Sequence, residues 1–435
     1  MFKNRFLNNT SWIVGGKIIQ MLISLIITSI TARYLGPSNY GIINYTNAYV
    51  SFLVSLCSLG LNGIIVKELV LNRGKEGELI GTAIVMRFIA GIISMFSLIL
   101  IMKYILVEDT LIIKVAFLQS VSVLFSSFDI INFWYQSNLQ SKYSTIIQTI
   151  AYVGMSIYRI IILILNKDVT WFAFAVSLDT IIIAILLVYS YYINKNKSQG
   201  FSFSFYWVKI LLKQSYPFIL SSIMVTIYGQ MDKIMIGNMM DEKSVGLYSV
   251  AITITGLWSF IPIAFLDSAR PLIMEAKAKN QTLYIKRLKQ LYAFIIWMSI
   301  AYAVGMCIFS KIIILILYGE KYLAAQSALI ITVWYCIFSY LGSAKNIWII
   351  CEQKMKYETL FTIIGALCNV CLNFLLIPKF GIVGAAIATL LTQIITNFLI
   401  MFLFKATREN AKLIISSFLL IDVIDLNVIK NKKRR

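Results

Sequence analysis

The sequence predicts an all-α membrane protein of about twelve transmembrane helices, grouped as two lobes of six. Three observations predict it. Twelve apolar runs of spanning length fill the 435 residues, Lys and Arg crowd into alternate gaps, and charged residues make up 13% of the chain against 59% hydrophobic. A hydrocarbon core of about 30 Å takes roughly 20 apolar residues per helix. Only backbone that satisfies its own polar groups crosses lipid repeatedly, which selects helices. A soluble domain would carry about 25% charged residues.

Taken in order, the first span is expected over 10–32 and carries Lys17. It is full length and runs into Arg33-Tyr34-Leu35-Gly36-Pro37, not into a small-residue cleavage site, so no cleavable signal peptide is expected. The second span covers 41–63. The third, 79–104, carries Arg87, and the fourth, 110–135, carries Asp129 followed by Asn132, Trp134 and Tyr135. Spans 144–165 and 170–193 hold Arg159 and Asp179. The seventh, 213–238, holds the neighbours Asp232 and Lys233, and the eighth, 244–268, ends near Asp267. Spans at 290–317, 322–350 (with Lys345), 357–377 and 381–403 complete the set.

The polar stretch after the sixth span divides the chain into six crossings and six crossings. The expected organisation is an N-terminal lobe over 1–193, a cytoplasmic linker over 194–212, a C-terminal lobe over 213–404 and a basic cytoplasmic tail over 405–435. Both halves contain a related phrase. Ala32-Arg33-Tyr34-Leu35-Gly36-Pro37 through Gly41 joins spans one and two, and Ile236-Gly237-Asn238 through Val245-Gly246-Leu247-Tyr248 joins spans seven and eight. With six spans per half, such a repeat is parallel, about an axis along the membrane normal. Within the tail, the apolar stretch at 411–428 is too short and too charged for a thirteenth span. A segment lying along the cytoplasmic surface is the preferred reading, with partial disorder the alternative.

The net charge of +20 invites nucleic acid as a partner, but its placement points to topology. One set of alternate gaps holds 26 Lys and Arg, the other eight (Arg33, Lys103, Lys114, Lys167, Lys243, Lys311, Lys321 and Lys379), and five lie within spans. That is the positive-inside pattern, and it puts both termini in the cytoplasm. Runs such as Lys286-Arg287-Leu288-Lys289 also suit anionic lipid head groups. Nucleic acid is not an expected partner.

An enzyme is not expected either. The chain has no histidine, which removes His acid–base relays and His metal sites. No G-x-x-x-x-G-K-[ST] phosphate loop occurs, so this chain does not hydrolyse ATP. Cys368-Asn369-Val370-Cys371 sits mid-helix without a second pair, and the six cysteines read as small apolar residues. No cofactor or metal is expected.

Ionisable groups inside spans are costly, so they are the default functional candidates. The cations are Lys17, Arg87, Arg159, Lys233 and Lys345; the carboxylates are Asp129, Asp179, Asp232 and Asp267. At 1.5 Å rise per residue, Lys17, Arg87 and Lys345 lie about 9–12 Å from a cytoplasmic helix end. For Lys17 and Lys345, snorkelling and cavity lining both stand. Arg87 is deeper, which favours the cavity. Arg159 and Asp179 differ in depth by only about 5 Å, which leaves open both a clamp between spans and a functional pair. Asp232 and Lys233, about 100° apart on one helix, cannot point the same way. Asp267 and Arg270 at i, i+3 read as a surface pair. Asp129 with Asn132, Trp134 and Tyr135 suits sugar contact, although belts at the membrane interface collect the same aromatics.

Several phrases resemble those of polysaccharide flippases. These are Asn9-Thr10-Ser11-Trp12, Thr31-Ala32-Arg33-Tyr34-Leu35-Gly36-Pro37 through Tyr40-Gly41, Asp232-Lys233-Ile234-Met235-Ile236-Gly237 through Tyr248, and Phe380-Gly381-Ile382-Val383-Gly384-Ala385-Ala386. The family is the O-antigen and capsule repeat-unit flippases of the multidrug/oligosaccharidyl-lipid/polysaccharide (MOP) exporter superfamily. The resemblance covers roughly 8–404. It implies two six-helix lobes in a V shape, a central cavity and alternating access. It also implies a cargo of oligosaccharide linked to undecaprenyl pyrophosphate, carried across the bacterial inner membrane.

Such a cargo needs cations within the membrane, sugar-contacting surfaces and a lateral opening for its tail. Arg87 and Arg159 are the first substrate candidates because bidentate phosphate contact favours Arg. Lys17, Lys233 and Lys345 come next, with Arg33 at the outer turn as a family-level candidate. Asp179, Asp232 and Asp129 are the candidates for ion coupling by proton or sodium, an idea borrowed from the superfamily. Membrane lipids, a polysaccharide polymerase and a chain-length regulator are the possible partners. A multidrug or cation extruder and a flippase for peptidoglycan or teichoic precursors are the rival readings.

Overall fold

The computed structural model describes the backbone of residues 2–193 and 200–420, and the side chains there except those of 2–19, 22 and 217. Lys17, Lys195, Lys197 and the expected tail beyond 420 lie outside the described side chains. Among the described residues the fold is helical without strands. In chain order the first helices are α1 (Phe2–Cys57), α2 (Asn62–Leu71), α3 (Glu76–Leu100), α4 (Thr110–Phe125), α5 (Ile130–Ser137), α6 (Ser141–Ile164) and α7 (Val169–Ile193). Then follow α8 (Phe205–Met239), α9 (Glu242–Gly256), α10 (Phe260–Lys279) and α11 (Gln281–Leu317). The last are α12 (Ala325–Cys351), α13 (Met355–Phe380), α14 (Ile382–Asn397) and α15 (Lys405–Phe418).

Among the described residues, nine helical segments are long and apolar enough to cross a membrane, or eleven if each of two bent pairs is one span. One of the nine, Ile23–Leu71, runs through a break in α1 at Gly36, where φ is +71°. That break makes two helices of one, which is the difference between eleven and the expected twelve. The protein is a multi-pass membrane protein.

The breaks have local causes. Gly36 takes a left-handed φ that costs glycine little. In α8, Phe205–Tyr216 and Phe218–Met239 meet at 52°, at Pro217, which has no N–H to give. A one-turn π-helix at Ile101–Ile105 ends the third span, and a 3₁₀ turn at Ser126–Asp129 interrupts the fourth.

The chain forms two compact units, residues 1–246 and 247–435. The 194–212 segment therefore falls inside the first unit. Its end is strapped to α3: the Ser202 amide donates to Gly77 O at 3.3 Å, and the Ser204 amide donates to Thr82 Oγ1 at 3.0 Å. Trp207 Nε1 donates to Glu78 Oε2 at 3.2 Å. The core here gathers Trp134, Tyr135, Tyr191 and Trp207. Trp134 and Tyr135 are fully buried, with Trp134 Nε1 donating to Glu76 Oε2 at 2.6 Å. This corrects both sequence readings of that pair. Buried in this way, the two rings present no open face to an interface or to a sugar: a buried carboxylate claims the Trp134 indole N–H, and the Tyr135 hydroxyl meets Ser190 Oγ.

Within the same unit the two related phrases touch. A Cβ on Gly41 would lie 1.6 Å from Glu242 O, and one on Gly246 would lie 2.1 Å from Pro37 O. The turn that opens the second span and the turn that opens α9 pack backbone to backbone, each through its glycine.

The second unit is built on α11, α12, α13 and α14, around Tyr292, Trp348 and Phe361. α15 is amphipathic and docks on α11: Tyr292 Oη donates to Asn410 Oδ1 at 2.7 Å, and Trp297 stacks on Phe418 at 6.0 Å. The tail thus begins as a helix held by the second unit. Asp267 and Arg270 form the exposed pair expected of them, at 3.8 Å.

Candidate functional site

The deepest ionisable group of the third span is Arg87, eleven residues from the start of α3, or about 16 Å along its axis. It is 4% exposed, and its Nε and Nη1 have no hydrogen-bond partner among the described residues. A guanidinium holds five N–H donors and no acceptor. Burying a charged group within a membrane span is expensive, which makes Arg87 a functional candidate.

Arg87 opens onto a cavity of about 570 Å³ within the first unit, a volume typical of small-molecule sites. Its walls come from both sides of the 194–212 segment: the second half of α1, the start of α2, α3, the turn before α5, and α8. Ser51 and Ser55 on α1, with Ser58 in the turn just beyond it, form a stripe at helical spacing. Ser221, Ser222 and Thr226 face the same cavity from α8, and Phe133 supplies an aromatic face. Asp129 lines it too, near enough for its charge to act on Arg87, and takes a hydrogen bond from Asn132 Nδ2 at 3.4 Å. Among the described lining residues the cavity joins one cation, one carboxylate and a hydroxyl-rich wall. Such a set can hold an anion beside a polar, hydrogen-bonding body.

The other sequence candidates are dispersed. Among the described residues no ion-pair contact joins Arg159 and Asp179, and Asp179 Oδ1 is buried without a hydrogen-bond partner. Asp232 is buried at 7% exposure, whereas Lys233 beside it is half-buried on another face of α8. Arg33 is exposed at the turn before Gly36. Lys345 is fully buried in the second unit, where its Nζ lies 3.1 Å from Glu358 Oε2, 3.3 Å from Asn397 Oδ1 and 5.2 Å from the Phe361 ring centroid. Of the sequence candidates, then, the cavity brings together Arg87 and Asp129. Among the described residues no group of three or more His, Cys, Asp or Glu could hold a metal ion.

Sequence reasoning missed the serine and threonine wall, because a hydroxyl in an apolar helix usually hydrogen-bonds its own backbone and gives no signal. It also missed a cluster at the far end of the second span. There Tyr45 Oη donates to Glu108 Oε1 at 2.6 Å and contacts Asn238 Oδ1, while Asn238 Nδ2 donates to Tyr49 Oη at 3.1 Å. Three chain segments meet there, and their separations in sequence hide the match.

Known proteins agree with this architecture. Residues 6–277 match the family described as polysaccharide biosynthesis protein, and residues 217–375 match the MatE family. The chain is 26% identical over 178 residues to the probable low-salt glycan biosynthesis flippase Agl15 of Haloferax volcanii. That match takes in 40% of this chain and 37% of Agl15. An uncharacterized membrane protein of Methanocaldococcus jannaschii, MJ1068, is 36% identical over 115 residues, covering 26% of this chain and 21% of its own. The matched stretches thus span well under half the length of these curated relatives. Among solved structures, the lipid II flippase MurJ in an inward closed conformation matches with a TM-score of 0.70 at 18% identity, over 95% of this chain and 92% of that one. An inward-facing multidrug resistance MATE family transporter of the MOP superfamily gives 0.67 at 15% identity, over 91% and 95%. At such identities the structures speak for the fold, while the family match covers more than half of the chain. The chain belongs to the polysaccharide biosynthesis protein family, with the fold of the MOP superfamily.

Proposed function

We propose that the protein is a flippase. Its cargo is an oligosaccharide repeat unit of O-antigen or capsule, linked to undecaprenyl pyrophosphate. It carries this cargo from the cytoplasmic to the periplasmic leaflet of a bacterial inner membrane, by ion-coupled alternating access between lobes 1–193 and 213–404. The observation that carries this reading is the cavity lined by Arg87, Asp129 and a wall of serine and threonine. A diphosphate offers acceptor oxygens to the guanidinium where it lines the cavity, and its charge offsets a cation that lipid would otherwise penalise. The glycan flippase and the lipid II flippase among the similar proteins support the same cargo class. Both termini lie in the cytoplasm under the positive-inside rule.

Arg159, Lys233, Lys345, Lys17 and Arg33 remain the secondary cations of this reading, and Asp129, Asp179 and Asp232 its coupling carboxylates. Asp129 comes first among the three because it shares the cavity with Arg87. A polymerase and a chain-length regulator would meet the protein through short loops or helix faces.

The test is deletion of the gene in its host. Loss of surface polysaccharide with lipid-linked repeat units accumulating inside is the expected result. Intact polymer, with altered drug tolerance instead, favours the cation extruder. Arrest of peptidoglycan or teichoic polymer synthesis favours the other flippase reading.

A further inference from the structure

In the second unit, α10, α11 and α15 share an exposed aromatic face. Tyr292 pairs with Asn410 and Trp297 stacks on Phe418, so α11 and α15 run parallel and Phe418 stands level with Trp297. Trp297 is seven residues past Gln290, where the expected span begins, or about 10 Å along it. From α10, Phe265 packs on Phe294 with ring centroids 4.5 Å apart. Phe294 and Trp297 are neighbours at i, i+3. Phe265, Phe294, Trp297 and Phe418 therefore make one aromatic strip across three helices, each residue 42–47% exposed.

The polar ends of the same helices carry anchored cations. Arg287 and Arg408 precede Trp297 and Phe418 by ten residues each, about 15 Å, so on parallel helices the two arginines stand near one level. Arg287 Nη1 donates to Leu272 O at 2.9 Å, and Arg408 donates to Phe402 O through Nε at 3.2 Å and Nη2 at 3.1 Å. A guanidinium carries five N–H donors, so each carbonyl orients its arginine and leaves further donors for an anion. Lys412 adds an exposed cation one turn after Arg408. Of the nearby carboxylates, Glu275 is held by Lys279 at 2.5 Å and Asp267 pairs with Arg270 at 3.8 Å. Glu409, nine residues before Phe418, lies on the opposite side of α15.

We infer that this face binds an anionic phospholipid of the bilayer, its phosphate on Arg287 and Arg408 and an acyl chain along the aromatic strip. Charge complementarity selects the head group. Two arginines suit bidentate contact with phosphate oxygens, and Lys412 favours a net negative head over a zwitterionic one. Depth selects the chain: one leaflet fills about 15 Å, half of a hydrocarbon core of about 30 Å, and the rings lie within it. The lipid bridges α10, α11 and α15 and so braces α15 against the bundle. It is a resident lipid and not the cargo, and Arg87, in the other unit, takes no part in holding it.

The test uses the purified full chain in phosphatidylcholine vesicles, doped with chain-brominated phosphatidylglycerol or chain-brominated phosphatidylcholine. Bromine quenches tryptophan on contact, and the Trp297 signal is the difference between wild type and Trp297→Phe. Quenching of Trp297 should reach half its maximum at about tenfold lower mole fraction of the anionic lipid, a ratio that one added charge-assisted hydrogen bond supplies. In the Arg287→Gln, Arg408→Gln double variant, checked for unchanged melting temperature, that ratio should fall toward one while quenching by phosphatidylcholine holds. If the double variant is unstable, each single variant should cut the ratio about threefold. Equal quenching by the two lipids in wild type overturns the inference, and so does a tenfold ratio that survives the substitutions. Displacement of phosphatidylglycerol by a polyprenyl diphosphate at lower mole fraction overturns it too, by making the face part of the cargo's path. Failure on the first two counts leaves the flippase reading standing, since that reading rests on Arg87.

Discussion

Replacing Gly41 by Ala tests the contact between the two glycine turns. The added Cβ would sit 1.6 Å from Glu242 O and 3.0 Å from Gly246 N, both backbone atoms that cannot swing aside as a side-chain tip could. Overpacking of this kind costs about 1–3 kcal/mol. If the two turns must part during transport, the cost falls on the state in which they touch. The equilibrium should then shift toward their separation by about 5- to 150-fold. The assay is the labelling rate of a cysteine at Ser244, which is 9% exposed beside the contact, with a membrane-impermeant maleimide. Gly41→Ala should raise that rate by the same factor, with the protein still folded and at normal abundance. An unchanged rate in a stable variant would refute the reasoning: the contact would then be a fixed joint. Gly246→Ala, aimed at Pro37 O from the other side, should behave in the same way.

Other substitutions separate structural charges from functional ones. Lys345→Ala should destabilise the protein by about 3–5 kcal/mol, because it strands Glu358 beside the second unit's core, whereas Lys345→Met with Glu358→Leu should recover most of the loss on thermal melting. Trp134→Phe removes the donor to buried Glu76 and should cost about 1–3 kcal/mol in melting experiments. Tyr292→Phe deletes the hydrogen bond to Asn410 and should loosen α15, seen as faster limited proteolysis near 405–418 with the rest of the chain resistant.

Most of the helices were legible in the sequence because crossing lipid demands long apolar runs, and such runs are visible without any contact. The Gly36-Pro37 turn was legible for the same local reason. The π-turn at 101–105 and the 3₁₀ turn at 126–129 were not, since nothing in Ile101-Met102-Lys103 or Ser126-Ser127-Phe128 marks a break. Depth along a helix pointed to Arg87, which lines the first unit's cavity, because position within a span is a one-dimensional quantity. It could not separate Arg87 from Lys345, whose carboxylate partner lies on the next helix and becomes visible only when α12 and α13 pack. Trp134 and Tyr135 misled because an amphipathic ring looks alike in an interfacial belt and over a buried glutamate. The serine wall stayed hidden, since its hydroxyls come from helices far apart in sequence and meet only when α1 and α8 pack.

The central claim is that Arg87 escorts an anionic lipid-linked glycan through the membrane. Its most direct test is flipping of a fluorescent polyprenyl-diphosphate oligosaccharide in proteoliposomes, comparing wild type with Arg87→Gln at matched reconstitution. Losing charge-assisted hydrogen bonds worth about 1.5–3 kcal/mol should slow flipping by about 10- to 150-fold. Equal rates in the two proteins would contradict the account.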